Sequence, residues 1–194
     1  MTRLTAKRVV PATLLIAVAL LAPSSSSQGA TVKKMSTQDL VKLSEVIVLG
    51  KVVAQQGRRL EDGTHLTDVT LDVTAFVKSG DATQKTFTFP IYGGTVDGIT
   101  KSFSGQTKYI DGEDVLLFLE APHPKLGYRH TIGMAQGKFT VQVEPGTGKK
   151  YLVRDLGGIQ LAGPNGRLEE PKTNEPRLYL EAFIQEIKGY LGTK

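Results

Sequence analysis

Apolar and polar positions alternate most regularly between Thr67 and Lys78. In "TDVTLDVTAFVK", Val69, Leu71, Val73, Ala75 and Val77 share one side of an extended chain, and Asp68, Thr70, Asp72 and Thr74 share the other. A period of two predicts a half-buried strand. "KSGDATQ" interrupts the pattern, and "KTFTFPIY" resumes it with Phe87, Phe89 and Ile91 against Thr86 and Thr88. Pro90 lacks the N–H that a ladder needs, which places this strand at an edge or a bulge. Upstream, "VIVLGKVVAQ" (46–55) is rich in β-branched residues, and Gly50 in its middle predicts a bulge or sharp bend. "LEDGTHL" turns the chain at Asp62-Gly63. "DVLLFLE" (114–120) is apolar on both sides, as expected of a central strand covered twice. "YRHTIGMAQGKFTVQV" predicts one long strand bent at Gly133 or Gly137, or two strands, and "PGTGKK" a hairpin turn into "YLVRDL".

Two stretches follow the helical period instead. In "MSTQDLVKLSE", Ser36 and Asp39 form a loose capping box ahead of Leu40, Val41 and Leu43. Near the end, Leu180, Phe183, Ile184, Ile187 and Leu191 recur at helical spacing, with Pro176 near the helix start. The pattern predicts a mainly β fold of six or seven strands. Its expected form is a small closed or nearly closed β-barrel with a short N-terminal helix and a C-terminal amphipathic helix. Closure removes exposed strand edges, and interior glycines let strands curl. The expected organisation is a signal peptide over 1–30, a barrel domain over 31–160, a polar linker over 161–174, and a helix over 175–194 packed on the barrel.

The signal peptide rests on the first thirty residues. Arg3, Lys7 and Arg8 precede an apolar run from Val9 to Ala22, and "PSSSSQGA" supplies small residues for cleavage after Gly29 or Ala30. The run falls short of the ~20 apolar residues that span a bilayer. Removing three cations and no acids lowers the net charge from +5 to +2, which weakens the case for nucleic acid or an anionic membrane. The expected location is secreted or periplasmic, with no integral membrane anchor after cleavage. Cysteine is absent. That excludes disulfides, thiolate metal sites, a cysteine nucleophile and a lipid-bearing cysteine, and it fits bacterial export better than a eukaryotic secretory route.

"STQDLVKLSEVIVLGKVVAQ", "TDVTLDVTAFVKSG", "GGTVDG" and "DGEDVLLFLE" together resemble a group of uncharacterised exported bacterial proteins. The order of elements over roughly residues 36–145 also resembles netrin-type domains and tissue inhibitors of metalloproteinases. That resemblance implies an oligonucleotide/oligosaccharide-binding (OB) barrel. In those inhibitors an N-terminal cysteine presents its amine and carbonyl to the protease zinc. This chain has no cysteine to carry the role, so the resemblance implies fold and export and not inhibition.

The chemistry is sparse. Gly93, Gly94, Gly98 and Gly105 crowd a connection of about sixteen residues, a length that often binds something. A Walker loop needs Gly-Lys-Ser/Thr, but Ile99 follows Gly98; Gly148-Lys149 is preceded by Val143 at the first glycine's place and followed by Lys150. No βαβ unit surrounds these glycines, so the dinucleotide pattern fails as well. Positive-φ turns in a connector are the favoured reading of the glycines. If the loop binds a ligand, Tyr92, Lys101, Phe103, Lys108 and Tyr109 are the candidate contacts. His65 and Asp68 point to opposite faces of a strand; His123 lies in the turn "APHPKLG"; His130 beside Arg129 suits a polar surface position. Asp68 and Asp72 lie about 13 Å apart along one strand, too far for a retaining carboxylate pair. No GxSxG elbow occurs. The expected outward strand positions Asp68, Asp72, Thr86 and Thr88 do not interleave aromatics with cations, which argues against nucleic acid. No cofactor or metal is expected. The sequence therefore suggests an exported, non-catalytic module that binds a protein or envelope ligand. The alternative is a hydrolase with a site assembled from distant residues, which a cleft joining a histidine with Asp, Glu or Ser would favour.

Overall fold

The computed structural model describes residues 30–169 and 176–192. Residues 1–29 of the expected signal peptide, 170–174 of the expected linker, and 175 and 193–194 of the expected C-terminal helix lie outside the described residues. The elements are β1 (Ala30–Lys33), α1 (Thr37–Leu43), β2 (Val46–Arg59), β3 (His65–Lys78), β4 (Thr86–Tyr92), β5 (Gly94–Val96) and β6 (Ile99–Lys101). Then come β7 (Asp114–Leu119), a 3-10 turn (Met134–Gly137), β8 (Lys138–Val143), β9 (Lys150–Val153), β10 (Ile159–Ala162), β11 (Leu178–Tyr179) and α2 (Leu180–Gly192).

The fold is mainly β and is organised by one seven-stranded antiparallel sheet, in the order β11-β9-β8-β7-β2-β3-β4. β7 is its middle strand and is covered on both faces. Leu116 and Phe118 enter one cluster with Phe139, Leu152 and both helices, while Val115, Leu117 and Leu119 enter a second. The second cluster draws on β2, β3, β4 and β7, with Tyr109 as its one member from outside the strands.

Bulges explain where the simple alternation of β3 fails. The β2–β3 register slips between Ile47 and Val48, between Leu49 and Gly50, and between Val52 and Ala54. The first two slips leave Val77 and Thr74 of β3 unopposed, and each reverses which way the following side chains face. Ala75 is consequently exposed, Phe76 joins the cluster of Val69 and Leu71, and Val77 packs on the opposite one. Gly50 sits at a slip, as its position in the strand predicts. A Cβ there would lie 2.6 Å from the Asp72 carbonyl oxygen.

β4 is an edge strand, and Pro90 fits it. The Pro90 carbonyl faces away from β3 and accepts the Arg129 N–H at 2.7 Å. Carbonyl and nitrogen of one strand residue face the same way, so the missing N–H costs β3 nothing. Residues 120–132 fold back along β7, with Glu120 N–H donating to His130 O and Ile132 N–H to Phe118 O, both at 2.9 Å. This segment therefore touches both β7 and β4. No ladder joins the sheet's outer strands β4 and β11 among the described residues. The sheet is open in its strand pairing, and the expected barrel closure finds no ladder to make it.

Both helices were legible. Ser36 and Asp39 form the capping box, and their mutual hydrogen bonds hold the Asp39 carboxyl below the ordinary carboxylate range. Leu40 and Val41 are buried, but Leu43 is exposed. Lys78 Nζ donates to the carbonyls of Val41 and Ser44, satisfying the end of α1. In α2, Leu180, Phe183 and Ile187 are buried, and Ile184 and Leu191 pack partly against them. No helix among the described residues is long and apolar enough to cross a membrane.

Three features were not anticipated. β1 and β10 form a parallel pair, β5 and β6 form a hairpin inside the glycine-rich connection, and the region read as linker carries structure over 161–169. There Ala162 bridges Leu168, and Lys34 pairs with Glu169 at 2.6 Å.

Candidate functional site

The glycine-rich connection is stitched to the body. Gly93 N–H donates to His65 O at 2.8 Å, and Thr67 Oγ1 donates to Gly93 O at 2.9 Å. Gln106 Nε2 donates to Tyr92 O at 2.7 Å, and Lys101 Nζ reaches back to Gly63 O at 2.8 Å. Gly94 has φ +119°, and a Cβ there would collide with Thr67 Oγ1 at 1.9 Å. Its conformation and its crowding both require glycine. The β5–β6 hairpin rests on Gly57 of β2, where a Cβ would meet Thr95 O at 2.3 Å. Gly57→Ala is expected to lift the hairpin and cost about 1–3 kcal/mol. An unchanged urea midpoint would show that the hairpin does not depend on this approach.

Pinning this loop creates a cleft of about 330 Å³ between residues 103–109, the end of β4 and residues 129–134. Four rings form a circuit at its edge. Tyr92 meets Phe103 at 6.2 Å and Tyr128 at 5.6 Å; His130 meets Phe103 at 6.2 Å and Tyr128 at 5.0 Å. Tyr92 and Phe103 remain 38% and 37% exposed, so their surfaces are available to a ligand. His123 lies flat on Tyr128, with centroids 4.7 Å apart, and its Nδ1 accepts the Leu126 N–H at 3.2 Å. It caps a turn and supports Tyr128.

The polar groups of the cleft differ in how far they are committed. Thr107 and Thr131 bond to each other through their hydroxyls, and Thr131 donates to Met134 O at 2.6 Å. That bond ties down a backbone held at φ +61° in both Gly133 and Met134, a strained choice for methionine. Arg129 Nη1 donates to Glu120 O at 2.7 Å, and the guanidinium lies 3.4 Å from Glu45 Oε1. Glu120 and His130 face each other across the β7 return, since Leu119 bridges Thr131. Directly opposed residues keep their Cβ atoms about 5 Å apart on the same face. Among the described residues, neither the Glu120 carboxylate nor the His130 ring nitrogens have a hydrogen-bond or ionic partner.

The five loop candidates separate. Tyr92 and Phe103 meet in the cleft wall. Tyr109 belongs to the core: it is 8% exposed, edge-on to Phe89, and contributes to the cleft floor. Its hydroxyl has no protein partner, and burial, followed by the negative Glu113, pushes its pKa well above the ordinary range. Lys101 is outside the cleft, as is Lys108, whose carbonyl accepts Lys138 Nζ at 2.6 Å. Glu120, Tyr128, Arg129 and His130 were missed as site residues. The run "YRH" follows a turn and carried no helical or alternating pattern to aim it inward. His130 is half-buried in the cleft instead of occupying a plain surface position. Elsewhere, His65 is buried in β3 with Nδ1 unpartnered, and Asp68 pairs with Arg58 at 2.8 Å. No group of three or more His, Asp or Glu residues is placed to hold a metal ion among the described residues. No protein family, curated protein or solved structure matches this chain.

Proposed function

We propose that the protein is an exported, non-catalytic binding module of the bacterial envelope or exterior, built on a nearly closed OB-like barrel, and that the aromatic cleft is its recognition face. The observation that carries the reading is the ring circuit of Tyr92, Phe103, Tyr128 and His130 at the edge of a formed cleft. Binding clefts combine apolar walls with a few polar groups, and aromatic residues dominate recognition energies. The near closure rests on residues 120–132 lying between β7 and β4.

The test is a Tyr92→Ala/Phe103→Ala variant, which spares the buried Tyr109. It is expected to fold like the parent and to lose about 2 kcal/mol or more per ring in binding the ligand captured from native envelope. Equal capture by the folded variant would reject the cleft as the recognition face. A hydrolase is the second reading, favoured by Glu120 and His130 facing each other in one cleft, since a carboxylate and an imidazole can share acid–base work. Thr107 is bonded to Thr131, and Thr131 donates to Met134 O, so neither is poised as a nucleophile. Turnover of ester or glycoside substrates that disappears in His130→Ala would transfer the assignment to this reading.

A further inference from the structure

One charge in the cleft is unanswered. Arg129 is engaged by the Glu120 carbonyl and by Glu45. The half-buried Glu120 carboxylate accepts no hydrogen bond and forms no ion pair among the described residues, although the His130 ring stands opposite it and Arg129 lines the same cleft. Its neighbours in the cleft include Tyr92, Phe103 and His130, with Ile91 and Met134 adding apolar surface. A carboxylate that has lost part of its hydration gains most from a positive partner. Aromatic faces act in the same direction, because their negative potential attracts ammonium groups.

We propose that the cleft takes a small organic cation, an alkyl- or quaternary ammonium, with its positive head between Glu120 and the wall of Tyr92, Phe103 and His130. The proposal rests on the cleft being the recognition face. A neutral ligand would use the rings but leave Glu120 unanswered. An anion would meet Glu120 while the nearby guanidinium is already engaged. The volume of about 330 Å³ lies at the small end of ligand pockets and suits a head group with a short tail.

Three probes of nearly equal shape isolate the charge: choline, 3,3-dimethylbutan-1-ol and 3,3-dimethylbutanoate. Each is titrated into the purified protein at pH 8 and followed by NMR shifts of the Tyr92 and Phe103 rings. Choline is expected to bind about tenfold more tightly than the alcohol, and the anion no better than the alcohol. Glu120→Gln is expected to weaken choline about fivefold and leave the alcohol unchanged. Phe103→Ala should weaken both. Equal affinity for choline and the alcohol, tighter binding of the anion, or indifference of choline to Glu120→Gln would each overturn the proposal. If no probe binds while the Tyr92→Ala/Phe103→Ala variant still loses the captured envelope ligand, the cation class is wrong and the recognition face stands. If neither experiment responds, both readings fall.

Discussion

Phe183→Ala is expected to destabilise the protein by about 3–5 kcal/mol. Phe183 is 2% exposed, and its ring lies 5.1 Å from Phe139 and 6.2 Å from Phe118. It thereby joins α2 to β8 and to the middle strand β7, so truncation leaves a void bounded by sheet on one side and helix on the other. A hydrogen-bonded sheet cannot collapse far into that space without breaking ladders, which puts the cost at the upper part of the range for aromatic truncation. Domains of this kind hold about 5–15 kcal/mol in total, so the loss is a large share of the reserve. Chemical denaturation should show a lower midpoint with an unchanged slope. Gln185→Ala, on the exposed side of the same helix, should stay within about 0.5 kcal/mol of the parent. A cost below about 1 kcal/mol for Phe183→Ala would mean that α2 is not docked.

The second large effect is expected at Glu113. Its carboxylate lies 2.5 Å from Lys138 Nζ, and the two side chains are only 9% and 13% exposed. Glu113 Oε1 also accepts the Ile110 N–H at 2.8 Å, and Lys138 sits over the Tyr109 ring at 5.2 Å. This pair ties residues 108–113 to β8. Glu113→Ala strands a nearly buried ammonium and is expected to cost about 3–5 kcal/mol, far more than a surface pair. Glu113→Ala/Lys138→Met should recover much of that loss, because no charge is then left alone. A double-mutant cycle measures the coupling directly. If the double variant were no more stable than Glu113→Ala, the stranded charge would not be the cause.

Elements with a period of their own could be read before the structure. The alternation around Leu71, the two-sided run of β7 and the helical stripe from Leu180 to Leu191 each state their own burial pattern. What escaped depends on pairing between distant residues. Strands β1 and β10 have four residues each, and β1 has no apolar run; they become strands only by meeting each other. The slips that expose Ala75 are decided jointly by β2 and β3. The cleft was half legible for the same reason. Tyr92 and Phe103 flank the glycines and invite attention, whereas His130 and Glu120 acquire meaning only when the chain returns along β7.

That return also determines how the sheet can breathe. Residues 120–132 are joined to β4 at Arg129 N–H and Pro90 O, and Pro90 has no hydrogen to offer in exchange. The seam between them therefore lacks the second stitch that any other strand residue would supply at that place. It can part by giving up one backbone hydrogen bond and the ring contact of Tyr92 with Tyr128, while the ladders of β7 with β2 and β8 stay whole. Widening of the cleft wall is thus a local event, separable from loss of the fold, and a single imino acid holds its threshold low.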